Sequence, residues 1–127
     1  MRRSLVLLAL LSGCAAPGPE QPAPVDEPPA TTTKPENIAV AGLMDTARAD
    51  VAANRLGSAA ATLERALRIE PRNPRLWHEL ALVRLKQGDY AQAESTAARS
   101  NTWAGADSEL RAANQRLIEQ ARAALGR

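Results

Sequence analysis

The chain has 127 residues, enough for one small domain with appendages. Its apolar content comes from Ala and Leu, with Trp77, Trp103 and Tyr90 as the only aromatic side chains, a composition that favours helices over sheets. The formal charge of +2 divides between an acidic stretch over 15–37, with one basic against four acidic side chains, and a body over 38–127, with 13 basic against 10 acidic. Charge so small and scattered excludes a nucleic-acid binder.

The first element is an export signal over residues 1–13. Arg2 and Arg3 form a positive start, residues 5–11 an apolar run, and Ser12 and Gly13 a small-residue exit before Cys14. Seven residues at about 1.5 Å rise cover roughly 10 Å, far short of a bilayer core of about 30 Å, so the run is expected to be removed rather than kept as an anchor. Leu11-Ser12-Gly13-Cys14 resembles the lipobox of bacterial lipoproteins. The resemblance implies a diacylglycerol group on the Cys14 thiol, cleavage before Cys14, and acylation of the new amino group. Several acyl chains, at about 0.8 kcal/mol per buried CH₂, make a lasting membrane anchor. An ordinary secretory signal with an incidental Cys is the alternative. Ala15, where Asp would favour inner-membrane retention, resembles lipoproteins sorted to the outer membrane and facing the periplasm. A single Cys permits no internal disulfide.

Residues 14–37 hold Cys14 and then a Pro- and Thr-rich tether. Seven of the nine prolines lie there, and Val25 is its one large aliphatic residue. Such a stretch cannot bury enough surface to offset its ordering entropy, so disorder with extended polyproline character is expected. At about 3.1 Å per residue, residues 15–37 would reach roughly 70 Å. A proline-rich ligand for a partner domain is the other reading, although no basic-flanked PxxP is present.

From Ile38 the composition changes, and residues 38–127 read as one helical domain. Self-similarity at a spacing of 34 residues aligns Leu43 with Trp77, Ala47 with Ala81, Leu56 with Tyr90, Ala59 with Ala93, and Leu63 with Ala97. Helical spacing and end signals predict helices over 38–53, 57–70, 74–87, 90–101 and 107–125. Asn73-Pro74 supplies a cap and a first-turn proline. Gly88 ends the third helix, and Asp89 with Gln92 resembles a capping box for the fourth. Asp107 or Ser108 can cap the fifth, whose stripe runs through Leu110, Ala113, Leu117, Ala121 and Ala124.

Residues 40–107 resemble two tetratricopeptide repeats. Trp77, Leu80, Ala81, Gly88, Tyr90 and Ala93 stand at signature positions of the second unit, and Ala59, Ala66 and Pro71 at those of the first. Asn54, Thr46 and Gly105 depart from the pattern. The fold class expected is all-α: two repeat helix pairs and a C-terminal capping helix that seals the apolar end, after a disordered Pro-rich linker. Trp77 is expected in the core. Trp103, at an aliphatic position of the family, is expected there too, and would be a hot-spot candidate if exposed.

Catalytic chemistry finds little support. His78 is the only imidazole, no motif surrounds a Ser, and no Gly-rich phosphate loop exists, so no enzyme, no metal site and no cofactor beyond the lipid on Cys14 are expected. The family resemblance implies a concave groove lined by the first helix of each pair. Its positions fall on Met44, Arg48 and Val51 in the first unit, and on Arg75, His78, Leu82, Leu85 and Lys86 in the second, with Arg116 and Glu119 at matching offsets on the last helix. These read as a basic and apolar surface for a peptide bearing acidic residues. The bland alternative makes Leu82 and Leu85 packing residues, Arg48, Arg75 and Arg116 solvated charges, and His78 a surface polar group.

Lipid anchor, proline-rich spacer and small repeat domain together resemble the Lpo-type lipoproteins that activate bifunctional penicillin-binding proteins. The resemblance implies a tether that carries the domain through the cell wall and a repeat module that docks on such a protein. A monomer is expected. A pilotin- or scaffold-like lipoprotein assembling a secretion or pilus complex is the alternative.

Overall fold

The computed structural model describes residues 37–127. The signal segment, Cys14 and the tether up to residue 36 lie outside the described residues. Five helices follow one another: α1 (Ile38–Ala52), α2 (Leu56–Ile69), α3 (Pro74–Lys86), α4 (Tyr90–Trp103) and α5 (Ser108–Ala124). None is long and apolar enough to cross a membrane.

Local chemistry accounts for most of the boundaries. The Asn73 side chain accepts from the Arg75 backbone N–H at 3.0 Å, with Pro74 at the first helical position. The Asp107 carboxylate accepts from the Leu110 N–H at 3.0 Å and so opens α5. Asp89 departs from expectation: its side chain makes no capping bond, and α4 starts without one. Its first turn is held instead by Tyr90 and Ala93 packing into the core. The two turns inside the helix pairs are equivalent. Asn54 has φ 58° and Gly88, 34 residues later, has φ 78°. The departure at Asn54 therefore costs the fold little, because Asn is among the few side chains that tolerate left-handed backbone. In each turn the next amide reaches back across the helix end, Arg55 to the Asp50 carbonyl at 2.8 Å and Asp89 to the Arg84 carbonyl at 2.9 Å.

Two apolar clusters make the core, and α3 serves both. Val40, Met44 and Ala47 of α1 join Leu63 and Leu67 of α2 and Leu76 and Leu80 of α3 in the first. Ala81 of α3, Ala93 and Ala97 of α4, and Leu117, Ile118 and Ala121 of α5 make the second. Small alanines there let the helices approach closely, whereas the first cluster draws on larger chains such as Leu63 and Leu76, each worth about 1.5–3 kcal/mol when fully buried. The 34-residue phase survives in the packing. Ala47 and Ala81 are both buried, as are Ala59 and Ala93, and Leu63 and Ala97; Leu43 with Trp77 and Leu56 with Tyr90 are half-buried alike.

Several expectations about single side chains need correction. Trp77 is only half-buried against the first cluster, its Nε1–H donating to the Pro71 carbonyl at 2.8 Å. Trp103 is 42% exposed, and its repeat equivalent Ile69 is 47% exposed. Each is the last residue of the second helix in its pair. On α5, Ala124 is exposed while Asn114 and Ile118 are buried.

Candidate functional site

Residues spaced three and four apart on a helix share one face, and on α3 that rule gathers Arg75, His78, Glu79, Leu82 and Lys86. This face floors an open cleft of about 310 Å³. Arg48 of α1 borders it on one side; Asp107, Glu109, Leu110 and Ala113, at the start of α5, border it on the other. A smaller recess of about 110 Å³ continues between α1 and α3, where Val51, Leu82 and Val83 are flanked by Arg48, Glu79 and Lys86. Arg48 and Glu79 belong to both. The Arg48 guanidinium donates through Nε and Nη2 to Glu79 Oε1 at 3.2 and 2.8 Å, and Asp45 lies 3.8 Å away. That fork ties the first helix of one pair to the first helix of the next.

His78 is anchored differently. Its Nδ1 lies 2.7 Å from Asn114 Oδ1. The Asn114 amide nitrogen donates to Ser100 Oγ at 2.7 Å and to Asn101 Oδ1 at 2.9 Å, so both its hydrogens are used. The Asn114 oxygen must then accept, which assigns a hydrogen to His78 Nδ1. Ser100 in turn donates to the Pro74 carbonyl at 2.8 Å. One buried network thus joins α3, α4 and α5, and no buried side-chain polar atom among the described residues lacks a partner.

Six of the expected groove residues therefore meet on one surface: Arg48, Val51, Arg75, His78, Leu82 and Lys86. Four do not. Met44 is only 6% exposed and packs with Leu76 and Leu80, because its position faces the next helix in the stack as His78 faces α5. Leu85 is half-buried against the second cluster. Arg116 and Glu119 are exposed on α5 outside the cleft, with Glu119 accepting from Gln115 at 3.1 Å. The surface also differs in charge from the basic one expected. Glu79, Asp107 and Glu109 stand beside Arg48 and Arg75, so the cleft is of mixed sign. Asp107 and Glu109 reach it only because α5 folds back beside α3.

Asn114 was the residue missed. The signal was present: it falls in phase with Leu110, Leu117 and Ala121, a polar side chain within an apolar stripe. Away from the cleft, two carboxylates titrate low. The Ser58 hydroxyl, then the Arg55 guanidinium, hold Asp50 below its usual range, and Arg122 does the same for Glu94. Among the described residues no group of three His, Cys, Asp or Glu is placed to hold a metal ion.

A tetratricopeptide repeat family model matches residues 50–117. Among solved structures, the globular C-terminal domain of P. aeruginosa LpoP is similar at 44% sequence identity and a TM-score of 0.70, over 71% of this chain and 85% of that one. No curated protein matches. The chain belongs to the tetratricopeptide repeat family and is a relative of LpoP in sequence as well as in fold.

Proposed function

We propose that this chain is a lipoprotein, anchored through Cys14 at the periplasmic face of the outer membrane, whose repeat module binds and activates a bifunctional penicillin-binding protein. The 44% identity to the globular domain of LpoP carries this reading, since Lpo-type lipoproteins are the architectural match implied by the lipobox, tether and repeats. The fold is a protein-interaction scaffold, and activation needs no catalytic group on this chain. It needs a rigid face that favours the active conformation of the synthase, by binding that state more tightly than the idle one. The cleft supplies such a face. Arg48, Arg75 and Lys86 offer donors, His78 offers Nε2, and Val51 and Leu82 offer an apolar recess, so a partner segment of alternating charge around an aliphatic side chain fits it.

The test is direct. The lipidated mature chain in detergent is added to the purified synthase, and glycan polymerisation and peptide crosslinking are followed. A severalfold rise in either rate, with co-purification of the two proteins, is expected. Unchanged rates without binding would dispose of the proposal. Fractionation of a Cys14→Ala variant addresses the anchor, which is expected to leave the membrane.

A further inference from the structure

Outside the cleft, two indoles and two guanidiniums alternate along one side of the domain. The Arg99 guanidinium lies 5.1 Å from the Trp77 ring centroid, and the Arg72 guanidinium 5.2 Å from that of Trp103. Arg99 and Trp103 are four residues apart on α4, and Arg72 follows Pro71, whose carbonyl accepts from Trp77 Nε1. The four side chains thus form one ladder from the α2–α3 turn to the last turn of α4. Ile69, two residues before Pro71, adds exposed aliphatic surface at the same end.

Three properties set this ladder apart from the cleft. Neither Arg72 nor Arg99 forms an ion pair among the described residues, whereas Arg48 in the cleft is bridged to Glu79. Arg72 and Arg99 are both exposed, and a guanidinium already lying over an indole has less freedom to lose when it grips a carboxylate. Trp and Arg are among the side chains enriched at binding hot spots, and Trp103, Arg72 and Arg99 are exposed here.

We infer that the Trp77–Arg99–Trp103–Arg72 ladder is a docking surface for an acidic segment of the partner protein, its carboxylates forked by Arg72 and Arg99 and an adjacent apolar side chain covering Trp103 and Ile69. The inference rests on the proposed partnership with a penicillin-binding protein and adds a second surface to it. A bilayer is disfavoured as occupant because Trp103 and Ile69, the exposed large apolar side chains here, are each more than half covered and leave little apolar area to insert.

Affinity for the purified synthase is measured with the lipidated mature chain in detergent and with Trp103→Ala, Arg72→Gln and Arg72→Lys variants, each checked for its helical signal. Trp103→Ala and Arg72→Gln are expected to weaken binding about tenfold or more, with Arg72→Lys recovering only part because a lysine cannot fork. Wild-type affinity is expected to fall with added salt, and more steeply than that of Arg72→Gln. If the wild type does not bind, the functional proposal fails and the inference falls with it. If the wild type binds and all three variants bind within about twofold of it, the ladder alone is refuted. A parallel arm uses phosphatidylglycerol vesicles and the unlipidated chain. Vesicle binding lost in the variants, with synthase binding intact, would assign the ladder to lipid and overturn the inference.

Discussion

The cleft and the ladder use the same amino acid to opposite ends. In the cleft, Arg48 spends its fork on Glu79 and stands near Asp45, and Arg75 shares the space with Asp107 and Glu109. In the ladder, Arg72 and Arg99 rest on aromatic rings with no carboxylate paired to them among the described residues. An arginine with a near carboxylate holds helices in register, while one that stacks on a ring keeps its hydrogen-bonding edge for a partner. Counting basic residues along the chain does not separate these cases, because the deciding neighbours come from other helices.

The sharpest way to break the comparison is to remove the far wall of the cleft. Asn114→Ala strips His78, Ser100 and Asn101 of a buried partner and leaves a void, with an expected loss of about 3 kcal/mol in urea denaturation. A loss below about 1 kcal/mol would mean that α5 is held by Leu117 and Ile118 alone. The two tryptophans should then separate. Trp77→Ala, which removes half-buried packing and the bond to Pro71, is expected to cost about 2 kcal/mol. Trp103→Ala should cost less than about 1 kcal/mol, the worth of an exposed cation–π contact. Equal losses in thermal melts would mean that Trp103 is structural and the ladder no docking surface.

Smaller effects sharpen the electrostatic contrast. Glu79→Gln removes the negative charge that faces Arg48 at a cost of about 1 kcal/mol, since Arg48 is exposed although Glu79 is half-buried. The cleft then gains net positive charge, and affinity for a synthetic polyglutamate peptide is expected to rise, with the rise abolished by salt. A peptide affinity unchanged by the substitution would show that the mixed charge of the cleft does not govern what it accepts. The smallest effect is on acid stability. Asp50 titrates below its usual 3.8 in the folded chain, so the unfolded chain takes up the proton first as pH falls. Its contribution is full above that value and is lost as pH drops through the folded one. Asp50→Asn should flatten this part of the acid-unfolding curve, and Ser58→Ala should raise the Asp50 titration midpoint seen by NMR.

Much of the fold was legible along the chain. A 34-residue phase, Asn73-Pro74 and Gly88 locate helices that match the observed ones to within a residue or two, because caps and periodicity act over a single helical turn. The groove positions were partly legible for the same reason: residues on one face of α3 must share a surface. Met44 was misplaced because the repeat position it occupies is covered by the next helix, and a helix pattern carries no information on what lies opposite. Asn114 went unread because a polar residue on an amphipathic helix is usually solvated, and only the helices around it turn it into a buried link.

Composition, periodicity and turn residues alone determined that this protein is helical, where its helices start and stop, and that they stack in a repeat. These follow from interactions spanning a few residues, or from burial patterns that recur at a constant interval. The tertiary structure decided which charges are spent and which remain available. Glu79 reaches Arg48 across 31 positions and Asp107 enters the cleft from the opposite wall, whereas among the described residues Arg72 and Arg99 lie over indole rings and pair with no carboxylate. Coulombic and hydrogen-bonding partners act over a few ångströms of space, and only the packed chain sets those distances.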